Sequence, residues 1–143
     1  TSVIDHAAAL DNVILRIKLK LINTFGRNSL HLLTFVCIPA SSVTKTERRY
    51  KEFSSRICSE TGMVNAYDKM QVISSCAEKK FGGSGISTEN VSFDNSFFRG
   101  KNVLLFDDVI TSGESMLRFK NKLESLGANV IAGVSIGKTK HER

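Results

Sequence analysis

The chain has 143 residues, 41% of them hydrophobic and 24% charged, with a formal net charge of +6. That is the length and composition of one soluble globular domain, and no repeat, low-complexity tract or membrane-length apolar stretch appears. The excess of Lys and Arg favours an anionic partner, a phosphorylated metabolite or a nucleic acid, without choosing between them.

Cys37, Cys58 and Cys76 are odd in number and widely spaced, with no CxxC pair. They argue against a zinc site and against a disulfide framework. A reducing, cytoplasmic setting is the default expectation, and no membrane partner is expected. Thr1 opens no signal-peptide pattern.

From the N-terminus, Leu10, Ile14, Ile17 and Leu21 recur at helical spacing with Arg16, Lys18 and Lys20 between them. The spacing predicts an amphipathic helix over Ala7 to Ile22, with Asp5 as N-cap and Gly26 closing it off. Leu32 to Ile38 (LLTFVCI) is a continuous apolar run, predicted as a strand buried on both faces and stopped by Pro39. After a polar loop from Ala40 to Lys45, Thr46 to Thr61 places Tyr50, Phe53 and Ile57 on one helical face, and Gly62 stands where a helix commonly ends.

Met70 to Ile73 is a short strand candidate, and Glu78 to Glu89 (EKKFGGSGISTE) reads as a long mobile loop, first basic and then glycine-rich. Val103 to Phe106 is the second strong strand. A helix follows with Met116, Phe119, Leu123 and Leu126 on its apolar face, ending at Gly127, and Val130 to Ile136 is a last buried strand. Strands alternating with helices predict an α/β fold around a mainly parallel sheet, a Rossmann-like three-layer sandwich. Residues 1–28 read as an N-terminal helix leading into a domain over 29–143.

The chemistry concentrates in VLLFDDVITSGES, Val103 to Ser115. Asp107 and Asp108 end an apolar strand, where adjacent carboxylates repel and need a partner. The loop Thr111-Ser112-Gly113-Glu114-Ser115 joins the strand to a helix N-terminus, whose free N–H groups and dipole favour an anion. Gly113 allows close approach, and three hydroxyls add donors. One phosphate monoester suits this loop, and the two carboxylates suit a diol, or a diol with Mg²⁺. No GxxxxGK(S/T) or GxGxxG fingerprint occurs here.

This stretch resembles the phosphoribosyl-diphosphate (PRPP) binding motif of the type I phosphoribosyltransferases: apolar strand, two acids, two apolar residues, then a Thr/Ser-Gly-x-Thr/Ser loop. The resemblance implies that fold, with Asp107 and Asp108 holding the ribose hydroxyls and Mg²⁺, and Thr111, Ser112, Gly113, Glu114 and Ser115 around the 5-phosphate. It implies a diphosphate-binding loop after Pro39, and a closing loop in which Lys79 and Lys80 stand near the reacting centre. It implies transfer of ribose 5-phosphate from PRPP to a nitrogen acceptor with release of pyrophosphate.

In purine-salvage relatives an Asp stands where Thr111 stands, which speaks against a 6-oxopurine enzyme. Pro39 followed by Arg48-Arg49-Tyr50 is similar to the competence-associated, ComF-like branch, although the Gly of its Arg-Gly-Phe segment and its zinc-binding segment are missing. The alternative reading is therefore a regulatory or DNA-uptake accessory protein that keeps the pocket and binds single-stranded nucleic acid.

Simpler roles compete at several positions. Lys79 and Lys80 read as a solvated loop face before a catalytic pair, whereas Arg48 and Arg49 read equally as exposed ion pairs beside Glu47, and Pro39 equally as a strand terminator. Phe93, Phe97 and Phe98 read as packing before base stacking. The acceptor and the formation of a homodimer stay open.

Overall fold

The spaced apolar residues of the first segment fold as α1 (Ala7–Phe25) and bury Leu10, Ile14, Ile17 and Leu21. Gly26, at φ 85°, ends it with an N–H to Ile22 O bond of 2.9 Å. A computed structural model describes residues 7–40, 42–73, 88–110 and 113–138 of the chain. The expected N-cap Asp5 and most of the expected loop at 78–89 lie outside them.

β1 (Thr34–Cys37) is shorter than the apolar run. Leu30–Leu32 form a 3-10 turn instead, and Leu32 is exposed. The next helix begins earlier than expected, as α2 (Val43–Thr46), capped by the Ser42 hydroxyl, which accepts from Lys45 N–H at 3.1 Å. It continues without a break through a π-helical turn, Glu47–Lys51, into α3 (Glu52–Thr61). Gly62, left-handed at φ 85°, terminates it. β2 (Val64–Asn65) follows, then β3 (Met70–Val72).

β4 (Val91–Phe93) pairs antiparallel with β3, a pairing between segments far apart in sequence that neither segment alone announces. After α4 (Asn95–Phe98) come β5 (Asn102–Ile110), α5 (Glu114–Ser125) and β6 (Asn129–Lys138).

The main sheet is parallel throughout, in the order β2-β1-β5-β6. Its two faces are covered by different elements. On one face α1 and α3 pack on Phe35, Leu104, Phe106 and Val134. On the other, Phe119 and Leu123 of α5, together with the paired strands β3 and β4, pack on Val36, Ile38, Val103 and Leu105. This is an α/β fold with a mainly parallel central sheet between two layers. Phe93, Phe97 and Phe98 belong to the second core, with Phe98 fully buried against both other rings.

Candidate functional site

Parallel strands leave their carboxyl ends on one edge of the sheet, and the chain departs from β1 and from β5 to opposite faces. β1 runs on into α2 and α3, and β5 into α5. Between two strands whose connections diverge in this way a crevice opens at the carboxyl edge, and ligands of open α/β sheets sit there. Asp107 and Asp108 stand on β5 at that crevice.

Their position differs in one respect from the expectation that they end the strand. β5 continues past them to Ile110 because β6 keeps pairing with it, opposing Asp107 with Ser135 and Ile110 with Lys138. β1, by contrast, pairs only as far as Cys37 opposite Phe106, with a last bond from Ile38 N–H to Phe106 O of 2.8 Å. Pro39, buried, then turns the chain away. One edge of β5 is thus uncovered where the two acids begin, and the Asp108 N–H is taken by its neighbour's carboxylate, Asp107 Oδ1, at 2.9 Å.

Asp108 is only 8% exposed. The Arg49 guanidinium approaches it, with Nε 4.0 Å from Oδ2, too long for a hydrogen bond. Asp108 Oδ1, Arg49 Nε and the Tyr50 hydroxyl are all buried and have no hydrogen-bond partner. Buried polar atoms are nearly always satisfied, so three of them near the carboxylate pair, without a partner among the described residues, mark a place with polar capacity to spare. Burial pushes the Asp107 carboxyl up to about 6, with the nearby Asp108 charge acting in the same direction; the Asp108 N–H bond and Arg49 oppose them.

Burial, with the Asp107 charge next, also raises the Tyr50 phenol well above its ordinary value, so it remains a neutral hydroxyl. The Cys37 thiol is raised chiefly by burial, and the Cys58 thiol is pushed up to about 12 by the same cause. Neither is a thiolate nucleophile.

Among the other candidates, Gly113 adopts φ 84° ahead of α5 and its carbonyl accepts from Leu117 N–H at 3.0 Å. Glu114 is exposed and pairs with Arg118 at 3.7 Å, one turn along α5. The Ser115 hydroxyl accepts from Arg118 Nη2 at 3.3 Å. Arg48 is exposed, whereas its neighbour Arg49 turns inward. Lys79, Lys80, Thr111 and Ser112 lie outside the described residues.

Among the described residues a Cβ at Gly113 would meet no heavy atom within 4 Å, so in the ligand-free chain it is the backbone angle that favours glycine. Gly113→Ala is expected to cost about 1 kcal/mol of stability through that angle, measurable by urea denaturation.

No protein-family model matches the chain, and no curated protein matches it. Among solved structures it is similar to the hypoxanthine-guanine phosphoribosyltransferase of Schistosoma mansoni in complex with IMP. The two are 13% identical, with a TM-score of 0.43, over 91% of this chain and 55% of that one. The chain thus spans about half the length of that protein, and a likeness so distant leaves the site to be read from this chain's own residues.

A metal can be tested on the donor set. Among the described residues no group of three or more His, Cys, Asp or Glu side chains gathers in one place. Two adjacent carboxylates, one with an unbonded buried oxygen, instead suit a hard cation that keeps phosphate and water oxygens as its remaining ligands. Mg²⁺ is bound in this way.

Sequence reasoning missed the part played by Tyr50, which it placed in the core for its ring. A tyrosine on an otherwise apolar helix face was the available signal, since its hydroxyl needs a partner even when the ring is packed. The π-helical turn that brings Arg49 and Tyr50 to the crevice has no comparable signature.

Proposed function

We propose that the chain binds PRPP and transfers its ribose 5-phosphate to a nitrogen acceptor, releasing pyrophosphate. The observation that carries this reading is Asp108. It is a buried carboxylate with an unbonded oxygen, at the carboxyl edge of the sheet, a few residues before a left-handed glycine and the N-terminus of α5. A diol acceptor beside an anion cradle fits a sugar phosphate.

In this reading Asp107 and Asp108 hold the ribose hydroxyls, and Thr111 to Ser115 surround the 5-phosphate. The turn after Pro39 meets the diphosphate, and Arg48, Arg49, Lys79 and Lys80 supply positive charge. The bond from ribose C1 to diphosphate oxygen breaks with its electron pair leaving on the diphosphate, and a C1–N bond forms. The chain's contribution is orientation and electrostatics around the positive charge that develops on the sugar ring. Mg²⁺, held by Asp107 or Asp108 with phosphate oxygens, would neutralise the leaving group. The phosphoribosyltransferase-like unit is read as 29–143 and the N-terminal unit as 1–28, whose helix α1 packs on the core, in a cytoplasmic protein.

Calorimetry of PRPP with and without Mg²⁺, beside ribose 5-phosphate, tests the reading. Mg²⁺-dependent binding that is lost in Asp107→Asn/Asp108→Asn supports it. Neither heat nor thermal stabilisation at millimolar PRPP overturns it. Pyrophosphate release in a screen of nucleobases then identifies the acceptor.

A second reading, the ComF-like accessory role, draws on a different surface. Lys69 and Lys101 stand over the Phe97 ring at 5.2 and 4.9 Å, and Lys122 over Phe93 at 5.6 Å. Lysines without an ion pair among the described residues, standing over half-buried rings, suit the phosphates and bases of a single strand. Salt-sensitive binding of single-stranded DNA that survives Asp108→Asn would favour this role over catalysis.

A further inference from the structure

The π-helical turn faces two spaces. Arg49 leaves it towards Asp108, whereas Glu47 and Tyr50 line a cavity of about 330 Å³ between this turn and the segment from β2 to β3. Neither Asp107 nor Asp108 lines that cavity. Its volume is that of a small-ligand site. Tyr50 and Tyr67 contribute aromatic walls and Pro39 and Val72 aliphatic ones, while Glu47 and Asp68 bring negative charge.

No Lys, Arg or His stands among the described residues lining it. In a chain of net charge +6, a cavity whose described lining carries two carboxylates and no Lys, Arg or His has a selectivity of its own. A phosphate would meet like charge there, whereas a cation or a group rich in N–H donors would meet acceptors.

The charge of both acids reaches the cavity wall: the Tyr67 phenol is raised by burial first, then by Glu47 and Asp68. Glu47 shares its charge with exposed Lys51 at 3.5 Å, whereas Asp68 forms no ion pair among the described residues.

We propose that this cavity binds a small planar ring carrying a positive charge, of the amidine or protonated amino-heterocycle type. The tyrosine and aliphatic walls take the ring, and Glu47 and Asp68 take its N–H groups. This site is separate from the carboxylate pair on β5 and does not rest on the ribose-phosphate reading.

Benzamidine is the probe, with benzoate as the anion of the same shape, each titrated into the ¹⁵N-labelled chain at pH 7.5. Benzamidine is expected to shift the amides of Glu47, Tyr67 and Asp68, while benzoate at equal concentration leaves them in place. Asp68→Asn and Glu47→Gln, both at exposed or partly exposed positions, should each weaken benzamidine by about fivefold, the effect of one partly exposed ion pair.

Equal binding of benzoate would overturn the proposal. So would benzamidine affinity unchanged in the Glu47→Gln/Asp68→Asn variant, or affinity lost in Asp108→Asn, which would place the probe at the β5 carboxylates.

Discussion

Asp108→Asn is expected to lower PRPP affinity by about 10- to 100-fold while leaving the ligand-free fold as stable as the wild type, or more stable. The two effects have one cause. A carboxylate that accepts from ligand hydroxyls makes charge-assisted hydrogen bonds worth about 1.5–3 kcal/mol, and the amide keeps one oxygen but loses the charge. In the free protein the same charge is poorly compensated, since Arg49 Nε stays 4.0 Å from Oδ2 and Oδ1 has no hydrogen-bond partner. Burying a charge against so loose a partner costs more than it returns, so a neutral side chain of the same shape relieves the fold. Calorimetry with PRPP and urea denaturation of the same two proteins give both numbers. A variant that loses stability along with affinity would mean that the Arg49–Asp108 pair holds the fold, and the site reading would lose its main support.

The legible parts of this fold were those that local periodicity dictates. Leu10, Ile14, Ile17 and Leu21 all lie in the core, as their spacing requires, and Phe119 and Leu123 do the same on the other face. The apolar runs around Phe35 and Leu104 became neighbouring parallel strands. What stayed hidden depends on partners distant in sequence. Asp107 and Asp108 looked like a strand end because two acids interrupt an apolar run. β6 nevertheless holds β5 in register through Ile110, and it is the departure of β1 at Pro39 that uncovers one edge beside them. Leu32 looked like strand and is a 3-10 turn, with its side chain in solvent. The inward turn of Arg49 and the outward turn of Arg48 depend on the π-helical stretch, where the ordinary helical wheel no longer assigns faces.

The stability of the ligand-free protein carries a second signature, a contribution that falls as pH rises from about 4 to about 6. Burial raises the Asp107 carboxyl from 3.8 to about 6 in the folded chain, so between those values the folded state holds a proton that the unfolded state has released. Each step upward in pH then favours unfolding. The stabilisation is fully present below the unfolded value and lost once pH passes the folded one, amounting to about 3 kcal/mol at most. Carboxylates depressed by ion pairs give the opposite slope, so the effect has to be read as a difference between wild type and Asp107→Asn across a denaturation series from pH 4.5 to 8. The asparagine variant is expected to gain on the wild type as pH rises through 6 and to hold a constant advantage above it. If the carboxylate is what receives the sugar, PRPP affinity of the wild type changes in the other direction over the same interval. It should fall towards tenfold per unit as pH drops below about 6, because the ligand needs the charge that the empty fold resists. A common midpoint in the two series, with the affinity change abolished in Asp107→Asn, would assign both to Asp107 rather than to the ligand's own phosphate monoester, which titrates at about 6. Parallel stability curves for the two proteins would show a carboxyl that titrates as an ordinary exposed acid, and a binding site of Asp108 alone.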